Sequence, residues 1–166
     1  MRREFDDGVV IRHFAPDDLE RVKTFFATLG GQTRAMFDRN DYNTNRALSC
    51  FTDQAPENNE PFLAEKDGVM IGYVYLWDVH KTVPWLGICV HDRCQGMHLG
   101  RRLLAFAEDY VKSLGCGGIL LTTHMANARA QNLYCRMGYE YMGIATDGEQ
   151  LFLRSFDRET ADAKEE

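Results

Sequence analysis

Apolar residues recur along the chain at two different spacings, and each spacing predicts one kind of secondary structure. Residues 19–29, 99–114 and 128–137 carry apolar side chains three and four positions apart, which places them on one side of a helix. A glycine follows each of these segments, as is typical of the end of a helix. A fourth, shorter helix is predicted around 45–50.

Short apolar runs bounded by turn residues predict the strands. Asp67 and Gly68 separate two of these runs and favour a tight hairpin, because both residues tolerate a positive φ. Strands and helices follow one another without regular alternation, which indicates an α/β protein of the α+β type. The predicted strands cover 9–14, 62–66, 69–77, 84–90, 119–123, 139–144 and 150–156.

Length and charge narrow the class of protein. The 166 residues carry 19 Lys and Arg against 25 Asp and Glu, which gives a net charge of −6. A chain of this length forms about one domain, and its acidic balance argues against binding to the phosphate backbone of a nucleic acid. We expect one domain over 1–156, followed by a charged, disordered tail over 157–166.

Cysteine usage and the amino terminus bear on where the protein works. The five cysteines are odd in number and contain neither a C-x-x-C pair nor a spacing typical of zinc ligands. We therefore expect reduced thiols, no metal site and a cytoplasmic protein. No signal-peptide core or membrane-spanning apolar stretch is evident, so no membrane partner is expected.

Two segments combine the residues that point to chemistry. Residues 95–100 read Gln-Gly-Met-His-Leu-Gly between a predicted strand and a predicted helix, where unpaired N–H groups of the first helical turn favour an anion. Residues 127–139 read Asn-Ala-Arg-Ala-Gln-Asn-Leu-Tyr-Cys-Arg-Met-Gly-Tyr. Together they resemble two motifs of the GNAT family of N-acetyltransferases, Gln/Arg-x-x-Gly-x-Gly/Ala and Asn-x-x-Ala-x-x-Leu-Tyr-x-x-x-Gly-Phe/Tyr.

The resemblance implies a single-domain GNAT fold: a mixed, mostly antiparallel sheet of six to seven strands with helices on both faces. A splayed pair of parallel strands would form the acetyl-CoA cleft, with the pyrophosphate against the 95–101 loop. His98 stands where the family usually has a glycine; since a helical φ needs no glycine, we expect its N–H to donate all the same. The residues implied in acetyl-CoA binding are Cys89, Val90, Gln95, Gly96, Met97, His98, Leu99, Gly100, Arg101 and Asn127.

Tyr134 matches the family tyrosine whose hydroxyl lies near the sulfur of the cosubstrate. The resemblance implies that a primary amine attacks the thioester directly and that Tyr134 protonates the departing thiolate. A covalent route through Cys89 or Cys135 is less favoured, because neither has an evident activating base. The candidates for taking the proton from the amine are an ordered water, His124, His80 and Asp78.

The acceptor is the least determined part of this interpretation. A small-molecule amine is favoured, because Thr122 stands where acetyltransferases of ribosomal-protein N termini carry a glutamate. A protein lysine or N-terminal acetyltransferase and a non-catalytic CoA-binding module stay open, and relatives often form homodimers. Residues 38–60 hold five acids and two arginines, which suggests a cationic amine at that mouth of the cleft. Trp77 and Trp85 either line the acceptor pocket or belong to the core.

Overall fold

Eight strands form one mixed sheet in the described part of the chain, with α-helices on its two faces. The computed structural model describes residues 1–156, so the predicted tail lies outside the described residues. The strands are β1 (Arg2–Glu4), β2 (Val10–His13), β3 (Glu60–Lys66), β4 (Val69–Trp77), β5 (Trp85–Val90), β6 (Gly118–Thr123), β7 (Glu140–Ile144) and β8 (Gln150–Ser155). The helices are α1 (Leu19–Ala27), α2 (Gly31–Phe37), α3 (Tyr42–Ser49), α4 (Leu99–Ser113) and α5 (Ala128–Arg136).

The sheet has the mostly antiparallel character that the sequence predicts. Its strands lie in the order β1-β2-β3-β4-β5-β6-β8-β7. Within residues 1–156, β5 and β6 are the one parallel pair, and they pair only at Trp85 and Leu120. From that point toward their carboxyl ends the two strands diverge, so the middle of the sheet contains a gap.

The number of strands differs from the six to seven expected, because β1 was not foreseen. β1 pairs with β2 in an antiparallel hairpin whose turn includes Gly8 at a φ of +81°. Its sequence is Arg-Arg-Glu, which contains no apolar residue and so gives no periodic pattern. The hairpin between β3 and β4 is confirmed, with Asp67 and Gly68 at φ values of +50° and +75°.

Each face of the sheet buries its own group of apolar side chains. On one face α4 contributes Leu103 and Phe106, and on the other α1 contributes Phe25 and Phe26, of which Phe26 packs against Tyr73 of β4. Burial of a side chain of this size contributes about 1.5–3 kcal/mol, so one apolar face is enough to hold each helix. No helix of the described residues is both long and apolar enough to cross a bilayer.

Helix α2 is an element that the apolar pattern did not predict. The Gly30-Gly31 pair predicts only the end of the first helix, yet Gly31 is also the first residue of α2. The Gly30 N–H donates to the Asp92 carboxylate at 2.7 Å, and a Cβ on Gly30 would lie 2.8 Å from that carboxylate. The glycine is required by this close approach, which places α2 beside the end of β5.

Candidate active site

The gap between β5 and β6 is the central feature of the site. At its closed end the Leu120 N–H donates to the Pro84 carbonyl at 2.9 Å, while beyond the other end of β5 the His91 N–H donates to β4. Because main-chain groups alternate in direction along a strand, those of Ile88 and Val90 face the gap. An extended ligand can therefore pair with this edge as another strand would.

The two β5 residues implied in cosubstrate binding are placed differently. Cys89 lies opposite Tyr73 in the β4 register, and the same alternation directs its main-chain groups to β4 instead of the gap. The Val90 carbonyl faces the gap but accepts a hydrogen bond from Gln95 Nε2 at 3.2 Å. The residue whose main-chain groups face the gap is Ile88, which no motif singles out. It can therefore take the role in cosubstrate binding that the resemblance implied for Cys89.

The loop between β5 and α4 presents a row of main-chain N–H groups at the open end of the gap. Within the described chain, the N–H groups of 96–101 have no main-chain acceptor, and the first helical bond of α4 joins Arg102 to His98 at 3.2 Å. The partial positive charge at the start of this 15-residue helix adds to them. The loop is therefore suited to an anion.

His98 does not have the helical φ expected for it. It precedes α4 at a φ of +59°, in the left-handed region that a glycine adopts without strain, so that expectation is wrong. Its side chain lines the cleft. The neighbouring Met97 is 62% exposed and lies outside the cleft lining, whereas Leu99 is buried in the core beneath the loop. The main chain of this loop, more than its side chains, is what it offers to a ligand.

Residues 100–102 follow the loop, and only some of them face the cleft. A Cβ on Gly100 would lie 3.0 Å from Leu133, so the small residue lets α4 approach α5 closely. Arg101 lines the cleft. The adjacent Arg102 instead donates to Asp7 at 2.7 Å, so only part of the positive charge near the loop faces the site.

Polar side chains from α5 and the loop meet across the cleft. Asn127 Oδ1 accepts the Ala130 N–H at 3.2 Å and so caps α5, which leaves the amide Nδ2 as a donor beside the cleft. Gln95 Oε1 accepts from Arg129 at 2.7 Å, and its Nε2 donates to Thr33 at 3.1 Å. Arg129 is a cation of the cleft that lies at a variable position of the motif, so the motif gave no sign of it.

Tyr134 projects from α5 into the apolar core at the border of the cleft. It is 4% exposed, and its ring packs against those of Tyr139 and Phe152 at centroid distances of 5.9 and 5.6 Å. The residue lines the cleft, and its hydroxyl has no hydrogen-bond partner within residues 1–156. Burial raises the pKa of Tyr134, to which Cys89 and Glu149 contribute further. The hydroxyl is therefore protonated at neutral pH and can act as an acid.

The cleft has a volume of about 1360 Å³ and extends well beyond the loop. At its far end Trp77 and Trp85 stack with ring centroids 6.0 Å apart and planes inclined by 8°. Trp85 is also the residue at which β5 and β6 still pair, so the two tryptophans mark the closed end of the gap. Both tryptophans line the cleft, which agrees with their interpretation as part of the acceptor pocket.

The three side chains considered as the base do not line this cleft. His124 Nδ1 accepts the Ala126 N–H at 3.1 Å, and Asp78 pairs with Lys81 at 2.8 Å. His80 borders a separate hollow of about 390 Å³. The structure does not bring these groups to Tyr134.

One of the carboxylates in the cleft is already engaged. Asp92 accepts hydrogen bonds from Thr33 Oγ1 at 2.6 Å and from the Gly30 N–H at 2.7 Å. Partial burial raises the pKa of Asp92, but these hydrogen bonds outweigh it and hold that pKa below its ordinary value. Asp92 therefore fastens α2 to the loop as a charged group.

The other carboxylates of the cleft are Asp147 and Glu149, on the turn between β7 and β8. Asp147 Oδ1 accepts the Glu149 N–H at 3.0 Å, which shapes the turn. Glu149 lies near enough to Tyr134 for its charge to raise the pKa of the tyrosine. The apolar pattern and the motifs gave no indication of Glu149, because the turn that carries it is defined only by the fold.

The acidic stretch 38–60 does not give the cleft the acidic mouth expected of it. Asp38 is buried and accepts the Thr44 N–H at 2.9 Å, and Asp41 pairs with Arg34 at 3.3 Å. The residues of this stretch that line the cleft are Arg39, Tyr42, Asn43 and Arg46. The cleft is therefore cationic where this segment lines it, and the expectation is wrong.

The thiols offer little support for a covalent route. All five cysteines are unpaired. Burial raises the pKa of Cys89, which disfavours the nucleophilic thiolate. Residues 1–156 also contain no group of three His, Cys, Asp or Glu side chains placed to hold a metal ion.

Comparison with known proteins agrees with this geometry. A chain 28% identical over 137 residues is an uncharacterised N-acetyltransferase of Methanocaldococcus jannaschii; the match covers 79% of this chain and 78% of that protein. A Bacillus subtilis protein, named as a ribosomal protein bS18-alanine N-acetyltransferase, is 30% identical over 80 residues, 48% of this chain and 53% of its own.

Among solved structures, the fold is similar to the PaiA N-acetyltransferase of Thermoplasma acidophilum in complex with coenzyme A. The TM-score is 0.75 at 18% identity, and the match covers 89% of this chain and 99% of that one. The model of the acetyltransferase (GNAT) family matches residues 23–139, which include both motifs. The chain therefore belongs to the GNAT family and is an acetyltransferase that takes its acetyl group from acetyl-CoA.

Proposed function

We propose that this protein transfers the acetyl group of acetyl-CoA to the primary amine of a small molecule by direct attack within a ternary complex. The observation that carries the proposal is the position of Tyr134. Its protonated hydroxyl, without a partner in the described chain, lines the same cleft as the open edge of β5. An acid placed there can protonate a thiolate that leaves from a ligand paired with β5.

The chain offers groups that fit acetyl-CoA along the whole gap. Main-chain groups of Ile88 and Val90 would pair with the pantetheine arm, and Asn127 Nδ2 would donate to it. The N–H groups of 96–101 would bind the pyrophosphate at the start of α4, with Arg101 beside them. Bound there, acetyl-CoA supplies an activated acetyl thioester. The Gln95 hydrogen bond to Val90 would have to give way to the arm.

The chemistry assigns one proton to each of two side chains. Glu149 accepts a proton from the ammonium group of the acceptor, which frees the nitrogen lone pair. As the C–N bond forms and the C–S bond breaks, the electron pair goes to sulfur, and the Tyr134 hydroxyl donates its proton to the thiolate. The second proton of the nitrogen leaves to solvent, Glu149 releases its proton to solvent, and solvent returns a proton to Tyr134. The products are an amide and CoA with a free thiol.

Glu149 replaces the bases considered from the sequence alone. It is a carboxylate that both lines the cleft and lies close enough to Tyr134 to affect its pKa. His124, His80 and Asp78 lie outside the cleft lining, so a route through any of them needs a proton relay. The raised pKa of Cys89 further supports direct attack over an acetylated thiol.

A protein N terminus is the second candidate acceptor, because a relative is named as a bS18-alanine N-acetyltransferase. Thr122 lines the cleft where enzymes of that kind carry a glutamate, which favours a small molecule here. The unpaired thiols support a cytoplasmic location.

The test is a panel of acceptors scored by release of the CoA thiol. It contains amino acids, polyamines, aminosugars and peptides that begin with alanine. We expect turnover with at least one small amine and little with the peptides. Turnover confined to the peptides would replace the small-molecule proposal by the protein one. Acetyl-CoA binding by calorimetry without any product would remove both.

A further inference from the structure

Arg46 of α3 occupies an unusual position at the far end of the cleft. Its guanidinium carbon lies 4.3 Å from the ring centroid of Trp77, 4.6 Å from that of Tyr42 and 5.3 Å from that of Tyr75. The side chain is half-buried and lines the cleft. Aromatic rings therefore cover the faces of the guanidinium and hold it in place, whereas hydrogen bonds can form only along its edge.

The charge of Arg46 is not neutralised by the protein. Among residues 1–156 it forms no ion pair; its hydrogen bond goes to the Tyr42 hydroxyl. A guanidinium has five N–H donors, so most of the edge remains open. Arg39 also lines the cleft, without a carboxylate partner in the described chain. A cation held on rings and left unpaired is suited to an anionic ligand.

The cosubstrate is poorly placed to supply that anion. Its pyrophosphate belongs at the 96–101 loop, which follows the carboxyl end of β5. Arg46 stacks on Trp77, which pairs with Trp85 at the opposite end of the same strand. Six residues of strand span roughly 17 Å, so the two positions lie about that far apart. The anion at Arg46 must come from the acceptor.

We propose that Arg46, assisted by Arg39, binds a carboxylate of the acceptor, so that the substrate is an amine that also carries a carboxylate, as an amino acid does. This inference rests on the proposed function. One guanidinium edge with a single charge matches a planar carboxylate in a bidentate pair. The stacked rings of Trp77 and Trp85 provide an apolar wall for the rest of the acceptor, which disfavours a strongly hydrated phosphate dianion.

The amine and the carboxylate of the acceptor then have separate partners. Arg46 lies on α3 beside Trp77 and takes the carboxylate, whereas Glu149 precedes Gln150, which pairs with Thr123 at the carboxyl end of β6, so the proton of the ammonium group reaches Glu149 through water in the cleft. A polyamine has no carboxylate to pair with Arg46, and an amidated amino acid keeps its amine but loses the carboxylate. The comparison between an amino acid and its amide therefore isolates the proposed subsite.

Binding can be measured without turnover, because the protein has two tryptophans and both line this end of the cleft. The full-length protein saturated with CoA is titrated with leucine, methionine, phenylalanine and glutamate, and with the amide of each, while tryptophan fluorescence is recorded. We expect at least one acid to bind tenfold or more tightly than its amide. Arg46→Gln removes that advantage and leaves binding of the amide within twofold, and Arg46→Lys restores part of it.

Arg2→Gln is the matched control, since it removes an arginine far from the cleft and keeps the acid preference. Equal binding of every acid and its amide, or an unchanged preference in Arg46→Gln, overturns the subsite. So does tighter binding of a phosphorylated aminosugar than of any acid.

The acetylation assay on the same pairs separates this inference from the proposed function. Amines acetylated without any preference for the acid leave the function standing and remove the subsite. Arg46-dependent binding of acids without acetylation of any amine removes the function and leaves the subsite.

Discussion

The two ends of the cleft are built in different ways. At the loop end, main-chain N–H groups of 96–101 face the site, while Met97 is exposed and Arg102 pairs with Asp7. Acceptor recognition is instead proposed for side chains, those of Arg46 at the Trp77 end and of Glu149 beside the carboxyl end of β6, which are carried by elements far apart in the chain. A main-chain site survives most substitutions, whereas a side-chain site changes with each one. The same fold can therefore keep its cosubstrate while its acceptor varies.

Tyr134 lies where the two ends meet, and its removal should have the largest effect. Tyr134→Phe deletes the acid while keeping the ring that packs on Phe152. We expect kcat to fall by about 10²-fold, the lower range for loss of a general acid, with acetyl-CoA affinity within twofold. Steady-state kinetics and calorimetry measure the two quantities. Tyr141→Phe, at an exposed tyrosine of β7, is the control and should match the wild type.

The pH dependence of kcat gives a second test of the same role. Because burial raises the pKa of Tyr134 above the ordinary tyrosine value, its proton stays bound throughout the neutral and mildly alkaline range. The rate should therefore rise as the amine loses its proton and show no decline up to about pH 10. A fall between pH 8 and 9 would assign the acid to another group.

Glu149→Gln should slow proton removal from the acceptor and leave cosubstrate binding unchanged. Water can replace part of the function of a carboxylate base, so we expect a fall in kcat of about tenfold at pH 7, smaller than that of Tyr134→Phe. The deficit should shrink at higher pH, where the amine is already deprotonated. Glu140→Gln, on the exposed side of β7, controls for the lost charge. An unchanged rate in Glu149→Gln would leave the proton to an ordered water.

The unequal construction of the cleft also explains what the sequence could predict. The place of the anion-binding loop follows from residues 95–101 because a local motif precedes a helix, although the positive φ of His98 was not foreseen. Tyr134 could be predicted from the sequence in the same way, since it lies within one continuous motif. Glu149 and Arg46 could not be predicted, because only the order of the strands in the folded sheet brings the turn after β7 and helix α3 to the cleft.

Most of the helices and strands could be predicted from the apolar pattern. The elements that were missed, β1 and α2, have physical reasons for leaving no such pattern. The three segments with helical apolar spacing became α1, α4 and α5, and the longest apolar run became β4. β1 consists of charged residues that pair through main-chain bonds, and α2 begins at a glycine that serves a contact with Asp92. Neither leaves an apolar pattern.

Gly96→Ala should weaken the loop end moderately. A Cβ on Gly96 meets no atom within 4 Å, so its only cost is strain at a φ of +83°. Strain of about 1 kcal/mol corresponds to roughly a fivefold rise in the Kd of acetyl-CoA if the loop relaxes to relieve it. Calorimetry of this variant beside Gly31→Ala, where a Cβ also has open space but φ is not positive, separates the strain from the added methyl group. Equal affinities would show that the loop keeps its shape.

His98→Gly should have the smallest effect, and it tests whether the loop end acts through its main chain. The side chain lines the cleft, so a role in binding the pyrophosphate would make its loss costly. If the N–H is the working group, glycine keeps it and adopts the φ of +59° without strain. We expect the Kd of acetyl-CoA to stay within twofold, as measured by the same calorimetry. A tenfold weaker complex would mean that the imidazole contacts the cosubstrate, and the two ends of the cleft would then both depend on side chains.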